Sequence, residues 1–183
     1  MKTVVLIFAS YVLLSLTNNT IDNDKIIVWN QNRKLTFNDY LKPVPANATW
    51  EMAATTVTIE CLPKNINGKI VFTTRALFSK EGSWFKPEAK NNINVLNHEQ
   101  LHFDIAELYA RILRKYLITG KNYKAETGED ADKMKVIISN NLRAEETENA
   151  RYDVESNHGR NKEKQHQWEQ DVANRMKELE AYR

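Results

Sequence analysis

The sequence has little cysteine, glycine and proline, and these scarcities exclude several classes of protein. A single cysteine among 183 residues rules out an internal disulfide and a cysteine-rich metal site. Five glycines and four prolines are too few for a collagen-like or low-complexity chain. The length suits one domain that can bury a substantial hydrophobic core. Any metal chemistry must therefore use carboxylates and the four histidines.

The chain also has no excess of charge of one sign. Lysine and arginine together number 26 and aspartate and glutamate 24, which gives a formal net charge of +2 at pH 7. Nucleic-acid binding by bulk electrostatics requires a clear positive excess. We therefore do not expect a nucleic-acid partner, and the charge makes no prediction about the oligomeric state.

The apolar run near the amino terminus is short for a membrane helix. It covers residues 4–16, follows Lys2 and is interrupted only by serine and tyrosine, whereas a spanning helix needs roughly 20 apolar residues. A basic start followed by a run of this length is typical of a secretory signal peptide. We predict a signal peptide over about residues 1–20, a secreted or periplasmic location, and no stable membrane span after cleavage.

Strand and turn signals come first in the predicted mature chain, and helical signals follow. Residues 55–62 are rich in β-branched side chains and end at Pro63, and Asn67-Gly68 is a hairpin turn signal that precedes a partner strand over 69–78. Apolar residues then recur at the helical period over about 95–117, 130–150 and 161–181, with Gly120 as a stop for the first helix. Strands followed by helices predict one α+β domain over residues 21–183, with an antiparallel sheet.

The strongest chemical signal is the HExxH pattern formed by His98, Glu99 and His102 inside the first predicted helix. Residues four apart on a helix share a face, so both imidazoles can reach one metal ion. Glu99 projects beside that ion, where it can act as the general base toward a water molecule. A catalytic zinc takes three protein ligands and keeps one open position, so a third ligand must come from elsewhere.

Three residues compete for the role of third ligand. His158 stands beside Gly159 at an expected turn between the second and third helices, and it is the favoured candidate. Asp153 and Glu155 are the alternatives, because a set of two histidines and one carboxylate is also a known catalytic type. The remaining histidine, His166, lies in a polar helical stretch and is expected to face solvent.

Three other polar residues near the motif each allow a functional and a structural interpretation. Asp104 and Glu107 follow His102 on the same helix and could orient a ligand imidazole, or could be ordinary solvated carboxylates. Tyr152 could donate its hydroxyl to the oxyanion that develops during amide hydrolysis, or could pack at a helix end.

Several segments of the chain carry a family resemblance. They read NHEQLHFDIAELYARILR and YDVESNHG, with Gly82-Ser83-Trp84 upstream and Gln165 and Trp168 downstream. These segments resemble the bacterial predicted secreted zinc-dependent proteases, a family of unknown function in the HExxH zincin clan. The family usually has threonine where this chain has Ser156. The resemblance implies His158 as the third ligand and a compact zincin-like fold, with a small, mostly antiparallel sheet packed on the HExxH helix.

The expected function is that of a secreted zinc-dependent metallopeptidase that acts on a protein or peptide substrate. Zn²⁺ is the expected cofactor, and likeness to zincins implies that an edge strand binds the substrate as an added β-strand. The alternative is an exported, non-catalytic binding protein on a zincin scaffold. A further alternative is a metal-dependent amidase that acts on cell-wall peptides.

Overall fold

The computed structural model describes residues 24–66, 69–119 and 128–183. The predicted signal peptide, the turn at Asn67-Gly68 and the helix stop at Gly120 lie outside the described residues. Within the described ranges, no helix is both long and apolar enough to cross a membrane.

The strands of the described chain form two small antiparallel sheets. Strand β4 is central in the larger sheet, with β1 on one side and β3 on the other, and β2 pairs with β5 in the smaller one. The strand bounds are Ile26–Val28 for β1, Ala53–Ala54 for β2, Val57–Ile66 for β3, Lys69–Ser79 for β4 and Trp84–Phe85 for β5. Short 3-10 helices cover Phe37–Asp39, Pro87–Ala89 and Glu180–Tyr182.

The predicted hairpin is confirmed, but its first strand is longer than expected. Strands β3 and β4 pair from Val57 opposite Phe78 to Ile66 opposite Lys69. The prediction that Pro63 ends the strand is wrong, because β3 continues through it. Strand β3 lies at the edge of its sheet, where every second N–H points away from β4. A proline at such a position removes no hydrogen bond between the strands, so β3 can include Pro63.

The three predicted helices are also confirmed, with different bounds. Helix α1 covers Ile93–Thr119, α2 covers Gly128–Ser156 and α3 covers Lys162–Glu178. Helix α2 therefore ends about six residues later than predicted, since no glycine or proline interrupts residues 150–156. This difference places Tyr152 and Asp153 on the helix rather than on the connection after it.

Helix α1 lies at the centre of the fold. It packs against β3 and β4 on one side and against α2 and α3 on the other. Its side chains supply much of the core, and Phe103, Ile105, Leu108 and Leu113 are almost fully buried beside Phe78 of β4. The α+β prediction, with a small antiparallel sheet packed on the HExxH helix, is confirmed at this level.

Glu107 holds α1 to its neighbours through buried ion pairs. Its carboxylate lies 3.0 Å from Nε of Arg111 and 3.0 Å from Nη1 of Arg114. Arg114 also donates to the Thr74 carbonyl oxygen of β4 at 2.9 Å. Both readings of Glu107 from the sequence are therefore wrong, because the residue is neither solvated nor directed at a ligand imidazole.

Replacing Glu107 with alanine should lower the free energy of unfolding by about 3 kcal/mol, because it leaves the buried Arg111 charge without its main partner. Urea denaturation measures this change. The matched control is Asp132→Ala, which breaks an exposed pair with Lys135 and should cost less than about 1 kcal/mol. A Glu107→Ala protein with normal stability but reduced zinc content would contradict the structural role.

Candidate metal centre

Three imidazoles and one carboxylate converge at the end of a cleft. Oδ1 of Asp153 lies 3.1 Å from Nε2 of His98, 3.1 Å from Nε2 of His102 and 3.5 Å from Nδ1 of His158. His98, His102 and Asp153 are buried, and the His158 side chain is 32% exposed. The cluster is thus protected on the helix side and accessible on the cleft side.

The geometry of α1 accounts for the first two donors. His98 and His102 are one helical turn apart, and their ring centroids are 4.9 Å apart. Both face α2 because the apolar stripe on the opposite side of α1 packs against the sheet. The prediction that the two imidazoles share a face is confirmed.

A tight turn after α2 brings the third imidazole to the cluster. The N–H of His158 donates to the Asp153 carbonyl oxygen at 2.9 Å, and the N–H of Asn157 donates to the Val154 carbonyl oxygen at 3.2 Å. This pair of bonds is the Schellman arrangement that ends many helices. Asn157, His158 and Gly159 all have positive φ, at 49°, 53° and 72°. The chain therefore folds back, and His158 lies over the last turn of α2.

Two further residues maintain this turn. The buried Ser156 hydroxyl accepts a hydrogen bond from the N–H of Gly159 at 3.1 Å. A Cβ atom on Gly159 would lie 2.9 Å from Cβ of His98, which is closer than real Cβ contacts. Glycine is required there both by its positive φ and by this close approach. On the cleft side, the Trp50 ring lies 4.6 Å from the His158 ring, measured between centroids.

The donor set has the chemistry and spacing of a metal site. The ligand atoms of His98, Asp153 and His158 all lie within 4.8 Å of one another, so this group could hold a metal ion. His102, which the sequence predicts as a ligand, contacts Asp153 but is not a member of this group. Nitrogen and oxygen ligands of a tetrahedral zinc ion are about 3.3 Å apart, given bonds of about 2.0–2.1 Å. The distances of 3.1–3.5 Å from Asp153 to the three imidazoles agree with this value.

The structure separates the three candidates for the third ligand. His158 and Asp153 both lie in the cluster, although the sequence predicts them as alternative candidates for a single ligand position. Glu155 lies away from it, and its carboxylate accepts a hydrogen bond from Nε1 of Trp168 at 3.0 Å. Because α2 continues to Ser156, residues 153 and 155 are two apart on a helix and project to different sides.

Asp104 is also placed away from the metal cluster. Its carboxylate accepts hydrogen bonds from Nε1 of Trp29 at 2.7 Å, from Nζ of Lys34 at 3.0 Å and from Nε2 of Gln100 at 2.9 Å. The expectation that it orients a ligand imidazole is therefore corrected. Asp104 joins α1 to the segment after β1, because a residue two positions after His102 faces another side of the helix.

Two buried amides orient the imidazoles instead. Oε1 of Gln165 lies 3.3 Å from Nδ1 of His98, and Oδ1 of Asn149 lies 2.7 Å from Nδ1 of His102. An amide oxygen accepts a hydrogen bond from Nδ1–H, so each ring directs Nε2 toward Asp153. No motif in the sequence marks Asn149 as a functional residue. Its position one turn before Asp153 on the same helix face is the signal that could have indicated it.

The proposed oxyanion role of Tyr152 also needs correction. The residue is fully buried, and its hydroxyl donates to Oε1 of Gln165 at 2.7 Å. Its ring lies 4.7 Å from that of His98, measured between centroids. Burial raises the pKa of Tyr152 well above its ordinary value. Tyr152 thus holds Gln165 and His98 from behind rather than presenting its hydroxyl to the cleft.

The electrostatics of the cluster favour a proton on His102 in the absence of a metal. Burial disfavours the charged form of His102, but the charge of Asp153 and its hydrogen bond outweigh burial and raise the pKa of His102 to about 9. Burial would likewise raise the pKa of Asp153, but the His102 charge and the hydrogen bonds from the imidazoles hold it far below its usual range. A positive charge beside Asp153 is therefore favoured, whether a proton or a metal ion supplies it.

The cleft beyond the cluster has a volume of about 800 Å³. Glu99 lines it, is only 5% exposed, and accepts no hydrogen bond from any part of the chain that the structure describes. Strand β2 forms another part of the lining, through Ala53 and Ala54. The arrangement offers a cation site, a buried carboxylate and a strand edge within one cavity.

Comparisons with protein families, curated proteins and solved structures found no match to this chain. The family resemblance therefore depends on the sequence motifs alone.

Substituting the proposed ligands one at a time should identify the set that binds zinc. We expect His98→Ala, His102→Ala, His158→Ala and Asp153→Ala each to lower zinc affinity at least tenfold, because each removes a donor. Elemental analysis after dialysis against a weak chelator measures the bound zinc. Glu155→Ala and His166→Ala are the matched controls and should retain it. Stoichiometric zinc in His98→Ala, or loss in Glu155→Ala alone, would overturn the assignment.

Zinc affinity should also increase with pH. Zinc binds only imidazole nitrogen that carries no proton, and His102 has a pKa of about 9 in the metal-free protein. Each binding event at pH 7 must then release a proton, so the apparent affinity should rise about tenfold per pH unit between pH 7 and pH 9. Competition with a chelator of known pH dependence measures this slope. An affinity that stays constant over the interval would contradict the proton-for-metal exchange.

Proposed function

We propose that the protein is a secreted or periplasmic zinc metallopeptidase that hydrolyses peptide bonds, with Glu99 as the general base. The observation that carries this proposal is the position of the Glu99 carboxylate, which lines the cleft and accepts no hydrogen bond from the described residues. Glu99 is only 5% exposed. Its carboxylate oxygens are nevertheless not enclosed, since Oδ1 of Asn141 is the only fully enclosed and unpaired polar side-chain atom among the described residues. Glu99 lies beside His98 on the cleft wall, so its carboxylate is left to contact water and substrate, as a general base must.

The donor cluster supports zinc as the cofactor. His98, His158 and Asp153 would hold the ion, with His102 as a fourth candidate donor beside them. Asn149 and Gln165 keep the imidazoles of His102 and His98 in the required orientation. When bound, zinc would lower the pKa of a water molecule and polarise the carbonyl group of the substrate. Glu99 would accept the proton from that water and later pass it to the leaving amine.

Within the described ranges β2 pairs only with β5, and its other edge supports a peptide as the substrate. The N–H of Lys86 donates to the carbonyl oxygen of Met52, and Ala53 and Ala54 pair with Phe85 and Trp84. Because pairing groups alternate along an antiparallel strand, the N–H and C=O of Ala53 face away from β5. An extended peptide could add to this edge within the cleft, as the resemblance to zincins implies.

One observation favours the alternative of a non-catalytic binding protein. Asp153 is a fourth donor at the cluster, and zinc with four protein ligands is usually structural. Two features argue for catalysis instead. His158 is 32% exposed on an open cleft, and a purely structural site has no need for a buried base such as Glu99. Metal-dependent hydrolysis distinguishes the two functions.

Glu99→Gln should reduce kcat/KM on a casein-type substrate by 100-fold or more, because glutamine cannot accept the proton from water. Zinc content should stay stoichiometric, since Glu99 is not among the donors. A fluorogenic casein assay and elemental analysis measure the two quantities. Glu155→Gln is the matched control and should keep full activity. Full activity in Glu99→Gln would disprove the mechanism, and a zinc-loaded native protein without hydrolytic activity would favour the binding protein.

A further inference from the structure

The end of the cleft beside His158 has cationic side chains without acidic partners. Arg160 and Lys162 both line the cleft. The Arg160 guanidinium lies over the Trp50 ring, 5.5 Å from its centroid, and donates only a long 3.5 Å hydrogen bond to the Trp50 carbonyl oxygen. Nζ of Lys162 donates to the Gly159 carbonyl oxygen at 2.8 Å. Within the described residues, neither cation forms an ion pair.

The lack of an acidic partner at Arg160 is unusual among the arginines that the structure describes. Most arginines of the described chain contact a carboxylate, and they are Arg33, Arg75, Arg111, Arg114, Arg151, Arg175 and Arg183. The other exception is Arg143, which like Arg160 is exposed, but which does not line the cleft. The unpaired guanidinium on the cleft wall therefore differs from the general pattern of paired arginines.

Arg160 is close enough to the metal cluster to contact a bound substrate. The guanidinium carbon is 5.5 Å from the Trp50 ring, which is 4.6 Å from the His158 ring. The guanidinium thus lies no more than about 10 Å from His158. An extended peptide advances about 3.3 Å per residue, so Arg160 can reach a group within about three residues of the bond to be cleaved.

The other charges of the cleft favour an anion at this end. Lys42 also lines the cleft and has no ion pair among the described residues. Among the acidic lining residues, Asp153 contacts the imidazoles and Glu99 is the proposed base, so neither is available to neutralise Arg160. Glu51 is directed to its own loop, since Oε2 accepts a hydrogen bond from the N–H of Thr49 at 3.0 Å.

We propose that Arg160 and Lys162 bind a carboxylate of the substrate, so that the enzyme prefers acidic peptides with this group within about three residues of the cleaved bond. This inference rests on the proposed function only in taking the occupant of the cleft to be a peptide. Arginine presents a planar fork of donors that matches a carboxylate, and its stacking on Trp50 holds the fork in place. Both residues determine specificity and take no part in the chemical step.

Paired fluorogenic peptides test the inference. Each pair is identical except for glutamate or glutamine at one of three positions on either side of the cleaved bond, and all have an amidated carboxyl terminus. We expect kcat/KM to be about fivefold higher for glutamate in at least one pair, as for a partly exposed ion pair. A second series with glutamine throughout compares free and amidated termini, and thereby distinguishes a side-chain carboxylate from a terminal one.

The discrimination should depend on the two cations. In the double variant Arg160→Gln/Lys162→Gln, the ratio of kcat/KM within the preferred pair should fall close to one. We compare the ratio of kcat/KM within a pair rather than each value alone. Removing the Arg160 guanidinium could shift the Trp50 ring, and such a shift would change kcat/KM for both peptides of a pair alike. Arg143→Gln removes the other unpaired arginine and should keep the native ratio. Equal cleavage within every pair and equal cleavage of free and amidated termini would overturn the inference.

A binding measurement separates this inference from the proposed function. Isothermal titration calorimetry on zinc-loaded Glu99→Gln gives the affinity for both peptides of a pair without hydrolysis. Tighter binding of the acidic peptide, lost in the triple variant with Arg160→Gln and Lys162→Gln, would support the inference even if the native protein cleaved nothing. Cleavage without any preference for a carboxylate, in kcat/KM or in affinity, would leave the peptidase standing and disprove the inference.

Discussion

The contact between the Asp153 carboxylate and the imidazoles of His98, His102 and His158 is the interaction on which the rest of the site depends. A buried carboxylate is unfavourable unless a positive charge and hydrogen-bond donors surround it. Here three rings from two parts of the chain meet one oxygen atom at 3.1–3.5 Å. The charge of Asp153 favours a proton on His102, and His98, Asp153 and His158 have the donors and the spacing for a metal ion. Helix α2 and its terminal turn are thereby tied to α1 at the cleft.

This contact requires a polar layer inside the helical half of the fold. Asn149 and Gln165 accept from the Nδ1–H groups, and Tyr152 in turn donates to Gln165. Each member of this layer is buried and has a partner, which avoids the penalty of unsatisfied polar groups. On the other side of α1, the apolar stripe and the Glu107 ion pairs hold the helix against the sheet. Helix α1 is therefore fixed from both sides, and its two histidines have little freedom to move.

The cleft combines features that are individually unremarkable and become informative together. Glu99 is a buried carboxylate without a hydrogen-bond donor in the described chain, and the cluster beside it can hold a cation. The edge of β2 offers backbone groups to an extended peptide. Arg160 offers a positive charge at a distance from the cluster that about three residues of such a peptide would span. A structural metal alone explains none of the other three features. The proposed zinc peptidase, acting on an acidic peptide, would account for all four.

The amino-acid sequence by itself determined the local features of this protein. The three helices and the shared face of His98 and His102 follow from periodicity, and the hairpin and the α+β class follow from β-branched runs and a turn signal, all of which are properties of neighbouring residues. Only the tertiary structure decided that His158 and Asp153 meet at one cluster, that Glu155 and Asp104 face elsewhere, and that the Tyr152 hydroxyl is directed at Gln165. These outcomes depend on where α2 ends and on how it packs against α1, some 50 residues away in sequence. Helix ends and long-range packing follow from the balance of many weak contacts, which no single pattern in the sequence records.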